Sequence, residues 1–214
     1  MSKQRCLLAA LLLLFMPSMV FSQQGFTPLK DPSAFKKRVA ESSSKIFSIE
    51  STFIQEKNLS VLSEKIISKG KFYFRKEKSL RWEYTDPYKY LIILHDDKFL
   101  IKDEGKVSKF DVQSNKMFRE INTIFLGCVQ GTLLADEKRF SSTFAENNSS
   151  YLVKLKPLET PMKETLKEIW IYFGKTDLMV SKLEMHEYSE DYTNISFTVK
   201  NINQTITDDK FRIK

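Results

Sequence analysis

The 214-residue sequence predicts a mainly β protein, a single curved antiparallel sheet with a small helical component packed against it. Three observations carry this expectation. From Ile49 onward apolar and polar residues alternate with a period of two, in about ten segments bounded by turn-forming residues. Large side chains suited to a pleated surface are abundant, with 17 Phe and 8 Tyr. Two stretches alone switch to helical spacing, one near the N-terminus and one mid-chain.

At the N-terminus Lys3 and Arg5 precede an apolar run from Leu7 to Phe15, followed by Pro17 and small residues near Ser22. This pattern reads as a secretory signal peptide over residues 1–22. The run is too short for a spanning helix, which needs ~20 apolar residues. Cleavage after Ser22 removes Lys3 and Arg5, so the formal charge falls from +7 to +5. Residues 23–214 are then expected to form one domain. Cys6 leaves with the leader and Cys128 stays alone, so no disulfide framework exists and a bacterial envelope is the expected compartment. Cys6 also precedes the apolar run, the wrong place for a lipid-modified cysteine. Basic residues are interleaved with 27 acidic ones, which suits solvated strand faces rather than a nucleic-acid surface.

Asp31-Pro32 opens the first helix, since Asp caps free N–H groups and Pro fits the first turn. Its stripe is Phe35, Val39 and Ile46. In the first half-buried strand Ile66, Ser68, Gly70, Phe72 and Phe74 share a face; in the next, Leu80, Trp82 and Tyr84 alternate with Arg81 and Glu83. Asp86-Pro87 forces a turn before the apolar run Tyr90 to Leu94, and strands at Phe99 to Ile101 and Val107 to Val112 follow. Met117, Phe118, Ile121, Ile124, Phe125 and Cys128 then recur at helical spacing, with Gly131 as the stop. Phe140 to Phe144 and Tyr151 to Leu155 flank a hairpin tip at Asn147-Asn148. Strands at Leu166 to Phe173, Leu178 to Tyr188 and Tyr192 to Ile202 follow, and Phe211 to Ile213 reads as a short edge strand.

Catalytic groups are sparse. The two histidines, His95 and His186, sit on strands without a nucleophile motif, and no H-E-x-x-H, G-x-S-x-G, C-x-x-C or phosphate-binding glycine loop occurs. Glu184 and Glu187 fall on opposite faces of a strand, which spoils acid–base convergence. Cys128 lies on an apolar stripe, the setting of an inert thiol. The expectation is a binding protein, not an enzyme, with no cofactor or metal. Two helices cover a sheet of this size thinly, which leaves room for an apolar ligand. A tightly packed adhesion or binding module and a hydrolase built on His95 or His186 are the rival readings.

Phe53-Ile54-Gln55, Gly70-Lys71-Phe72-Tyr73-Phe74, Leu80-Arg81-Trp82-Glu83-Tyr84 with Pro87, and the Leu91 to Lys98 hairpin together resemble the LolA family of periplasmic lipoprotein carriers. The motif-bearing stretch covers residues 49–100, and the order of elements agrees over nearly the whole mature chain. The resemblance implies a half-open β-barrel lidded by helices, a monomer in the periplasm. It would take lipoprotein acyl chains from an inner-membrane ABC transporter and pass them to an outer-membrane acceptor; the alternative is a secreted β-sheet module for another lipid or apolar ligand. By position it implies cavity walls at Phe72, Phe74, Leu80, Trp82, Tyr84 and Ile92 and a lid carrying Phe118, Ile121, Ile124 and Phe125. Where the family commonly has an Arg-Pro pair whose Arg latches the lid, this sequence has Lys76-Glu77. Lys lacks the planar guanidinium fork, so the latch is expected from Lys76 or from Arg81.

Overall fold

Alternation sorts each strand into an apolar and a polar face, and the computed structural model joins these strands into one antiparallel sheet. It describes residues 25–76, 79–95, 98–111, 124 and 126–213. Among the described residues twelve strands run in the order β1-β8-β9-β10-β11-β12-β2-β3-β4-β5-β6-β7. Two meanders, β2 to β7 (Ser48–Asn58, Ile66–Arg75, Ser79–Asp86, Tyr90–His95, Lys98–Asp103, Lys106–Asp111) and β8 to β12 (Phe140–Glu146, Ser150–Pro157, Leu166–Gly174, Val180–Glu187, Tyr192–Ile202), meet where β12 pairs with β2. The first strand, β1 (Thr27–Pro28), adds two residues beside β8 and does not pair with β7, so the barrel stays open.

Register fixes the inner face. Phe53 lies opposite Gly70, Phe72 opposite Trp82, and Trp82 opposite Ile92. Gly70 is obligatory there: a Cβ would collide with the Glu83 carbonyl oxygen and with the Phe53 ring, which lies across the position. Between β12 and β2 the register shifts from Phe197 to Lys200, a bulge that raises local twist and keeps both side chains on the concave side.

Helix α1 (Pro32–Ser44) begins as its sequence predicts. The Asp31 carboxylate accepts from Ala34 N at 2.9 Å, and Phe35 and Val39 are buried against the sheet. Residues 126–130 are helical and stop at Gly131, whose φ of 69° is the left-handed conformation that ends helices. Met117, Phe118, Ile121 and Phe125 lie outside the described residues, as do Asp96 and Asp97 in the Leu91 to Lys98 stretch.

The sheet has a second, smaller core on its convex side. Tyr73, Leu91, Ile93, Ile206 and Phe211 pack there, and this corrects the expected edge strand at Phe211 to Ile213. Asp208–Phe211 is a 3₁₀ turn laid across the outside of β4 and β5. The Arg75–Asp208 ion pair (2.7 Å) and the Arg75 bond to the Ile206 carbonyl (3.0 Å) pin it. Burying Phe211 and covering Tyr73 and Ile93 outweighs a few edge hydrogen bonds, since each large apolar side chain removed from water contributes ~1.5–3 kcal/mol.

Candidate functional site: an apolar hollow

On the concave side the wall formed by Leu80, Trp82, Tyr84 and Ile92 faces Leu183, Met185 and Ile195 from the other meander, and Ile124 of the helical segment also lines the space. The hollow, partly open to the outside, measures about 280 Å³. An empty apolar void costs about 24 cal/mol per Å³, so one of this size persists only where opening to solvent or an occupant offsets it. The expected wall residues Leu80, Trp82, Tyr84 and Ile92 and the expected lid residue Ile124 are thus brought together.

Phe72 lines a second, smaller hollow of about 50 Å³ behind Trp82, with Cys128, Phe197 and Lys200. Phe74 lines neither. It is 1% exposed and packs in the core, opposite Ile49 and Leu80.

The hollow has one polar feature. The Tyr84 hydroxyl donates to Gln55 Oε1 at 2.9 Å, and Tyr84 also packs against the rings of Phe53, Tyr88 and Tyr90. Burial is the main cause that pushes the Tyr84 hydroxyl up to about 12. Burial likewise pushes the Cys128 thiol up to about 12, so it stays protonated and inert as its apolar stripe predicts.

Lys76 reaches the end of α1: its ammonium lies 3.4 Å from the carbonyl of Ser44, the last residue of that helix. Arg81 points the other way. Its guanidinium is on the convex face, bonded to Glu83 at 3.0 Å and to the Lys210 carbonyl at 3.0 Å, so alternation turns it away from the hollow. His95 and His186 also lie outside the hollow, His95 beside Ser79 and Phe211, His186 at 2.9 Å from Glu184. A wider groove of about 860 Å³ on the convex face is lined by mixed charges such as Lys71, Arg81, Glu83 and Asp209, chemistry unsuited to an alkyl chain.

Sequence reasoning missed Leu183, Met185 and Ile195 as wall residues and Gln55 as the polar partner of Tyr84. Their alternation was visible; that these distant strands face β4 and β5 was not.

The geometry defines a class: an open antiparallel barrel holding an apolar hollow beneath helices. The chain belongs to the LolA family, whose model, described as "Outer membrane lipoprotein carrier protein LolA", matches residues 44–214. Among solved structures, an uncharacterized conserved protein from Thermus thermophilus is similar with a TM-score of 0.53 and 8% identity over 85% of this chain and 93% of that one. MucB is similar with a TM-score of 0.52 and 15% identity, over 86% of this chain and 63% of that one. The Pseudomonas aeruginosa MucA/MucB complex gives a TM-score of 0.50 and 14% identity, over 86% and 61%. The chain therefore spans about three fifths of the MucB length, and these identities speak for the fold alone. No curated protein sequence matches the chain. Among the described residues no helix is long and apolar enough to cross a membrane, and no group of three or more His, Cys, Asp or Glu could hold a metal.

Proposed function

We propose that this protein is a periplasmic carrier that shelters lipoprotein acyl chains in the hollow between sheet and helices and moves them from the inner to the outer membrane. The observation that carries the reading is the 280 Å³ hollow, apolar but for the Gln55–Tyr84 pair, in a chain of the LolA family. An acyl chain gains ~0.8 kcal/mol for each CH₂ taken out of water, so diacylated cargo leaves a bilayer only for a comparable environment. The helical segment carrying Ile124 acts as lid: it packs on the hollow when empty and yields to cargo, which keeps net affinity modest enough for release. Phe118, Ile121 and Phe125 belong to the same lid, and Lys76 is its latch, acting through the end of α1. Residues 1–22 direct export and are removed; an ABC transporter loads the carrier and an acceptor at the outer membrane unloads it.

The chemistry is binding, not catalysis. The test is purification of the protein from its native envelope, with bound molecules identified by mass spectrometry, alongside Ile92→Glu, which puts a charge in the wall at a half-buried position. A lipid-modified protein recovered with the native chain and lost in Ile92→Glu, at unchanged far-ultraviolet circular dichroism, is expected. Free lipid alone would instead favour a module for another apolar ligand, and an empty native chain would overturn the reading.

A further inference from the structure

The hollow is small for its cargo. At about 280 Å³ it is roughly twice the ~150 Å³ space that accepts a benzene molecule, enough for one chain of moderate length and too little for a long one. Space of the same character continues behind it. The chamber of about 50 Å³ lined by Phe72, Phe197 and Cys128 shares Leu183 with the front hollow, so the two adjoin.

What separates them is a triangle of rings. Phe72 lies 5.5 Å from Trp82, Phe197 lies 6.1 Å from Trp82, and Phe72 and Phe197 are 5.8 Å apart, all near edge-to-face. Trp82 faces the front hollow, whereas Phe72 and Phe197 face the rear chamber. Phe53 backs Trp82 at 4.3 Å, so the indole is held, and Phe197 is the only half-buried ring of the three. It also sits next to the bulge between β12 and β2, where the ladder is already interrupted. Contacts of this type contribute about 0.5–1.5 kcal/mol each, little enough for a bound alkyl chain to replace.

We propose that Phe72, Trp82 and Phe197 form an internal aromatic gate dividing a two-chamber acyl channel, and that displacement of Phe197 lets a long chain thread from the front hollow into the rear chamber. The inference rests on acyl binding in the hollow and adds to it the determinant of chain length. A short chain ends in front of Trp82. A long chain moves Phe197 aside and places its terminal methyl against Cys128 and Met179, beneath the end of α1, where Ile46 and Ser43 also line the chamber.

Photolabelling of the unaltered protein tests the threading directly, with decanoic and hexadecanoic acids carrying a diazirine at the terminal carbon and labelled residues located by mass spectrometry. The decanoic probe should label front residues such as Ile92, Ile124 and Met185, and the hexadecanoic probe should label Cys128, Met179 or Phe197. Phe197→Ala should raise affinity for hexadecanoic over decanoic acid roughly tenfold, the gain from sheltering about two more CH₂ groups. Front-only labelling by both probes, or equal gains for both acids in Phe197→Ala, would overturn the gate while leaving acyl binding intact. Failure of both acids to bind or label would overturn acyl binding itself, and the gate with it, whereas failure of hexadecanoic acid alone would overturn only the gate.

Discussion

Tyr84 and Cys128 both hold their protons more tightly in the folded chain than their ordinary values of 10.0 and 9.0, because burial disfavours phenolate and thiolate. A group whose folded pKa is raised contributes stability that is complete below the unfolded pKa and is lost as pH rises through the folded one. Stability should therefore decline from pH 9 toward pH 12, first through Cys128 and then through Tyr84 as well. In urea titrations across this range, Cys128→Ala should show a shallower decline from pH 9 to 10; an unchanged slope would mean the thiol does not ionise on unfolding in that window. Gly70 gives a second expectation at this scale. Adding a methyl where Phe53 and the Glu83 carbonyl already touch should cost about 1–3 kcal/mol in Gly70→Ala, read from the denaturation midpoint.

The C-terminal 3₁₀ turn and the β4–β5 hairpin are a pair that local pattern alone misreads. Phe211 and Ile213 alternate as a strand would, yet the uninterrupted run Tyr90 to Leu94 signals a strand buried on both faces, and something must cover the convex one. Phe211→Ala should cost about 3–5 kcal/mol, since its ring is 1% exposed, while leaving uptake of an apolar fluorescent probe unchanged because the hollow is on the opposite face. Lys76→Ala, by contrast, removes an exposed contact to the Ser44 carbonyl. It should change stability by less than about 0.5 kcal/mol while speeding probe uptake in stopped-flow mixing; unchanged uptake would remove Lys76 from the latch role. Helix α1 and the stop at Gly131 were legible because capping and left-handed φ are local properties of Asp31, Pro32 and glycine.

For the whole molecule, the unfilled hollow makes stability and occupancy one quantity. A ligand that binds only the folded chain adds about 2.7 kcal/mol at a hundredfold excess over Kd, so the thermal midpoint should rise with acyl ligand and stay flat in Ile92→Glu. Taken by itself, the sequence determined most of the strands and turns and the inner row Leu80, Trp82 and Tyr84, because a period of two is written into neighbouring residues, but it misplaced Phe211 to Ile213. Only tertiary structure decided that Leu183, Met185 and Ile195 complete that wall, that Phe74 is core, that Arg81 faces outward to the C-terminal segment, and that two hollows exist at all. Empty volume is set by how far apart facing side chains of sequence-distant strands come to rest, which depends on sheet twist and curvature summed over many residues.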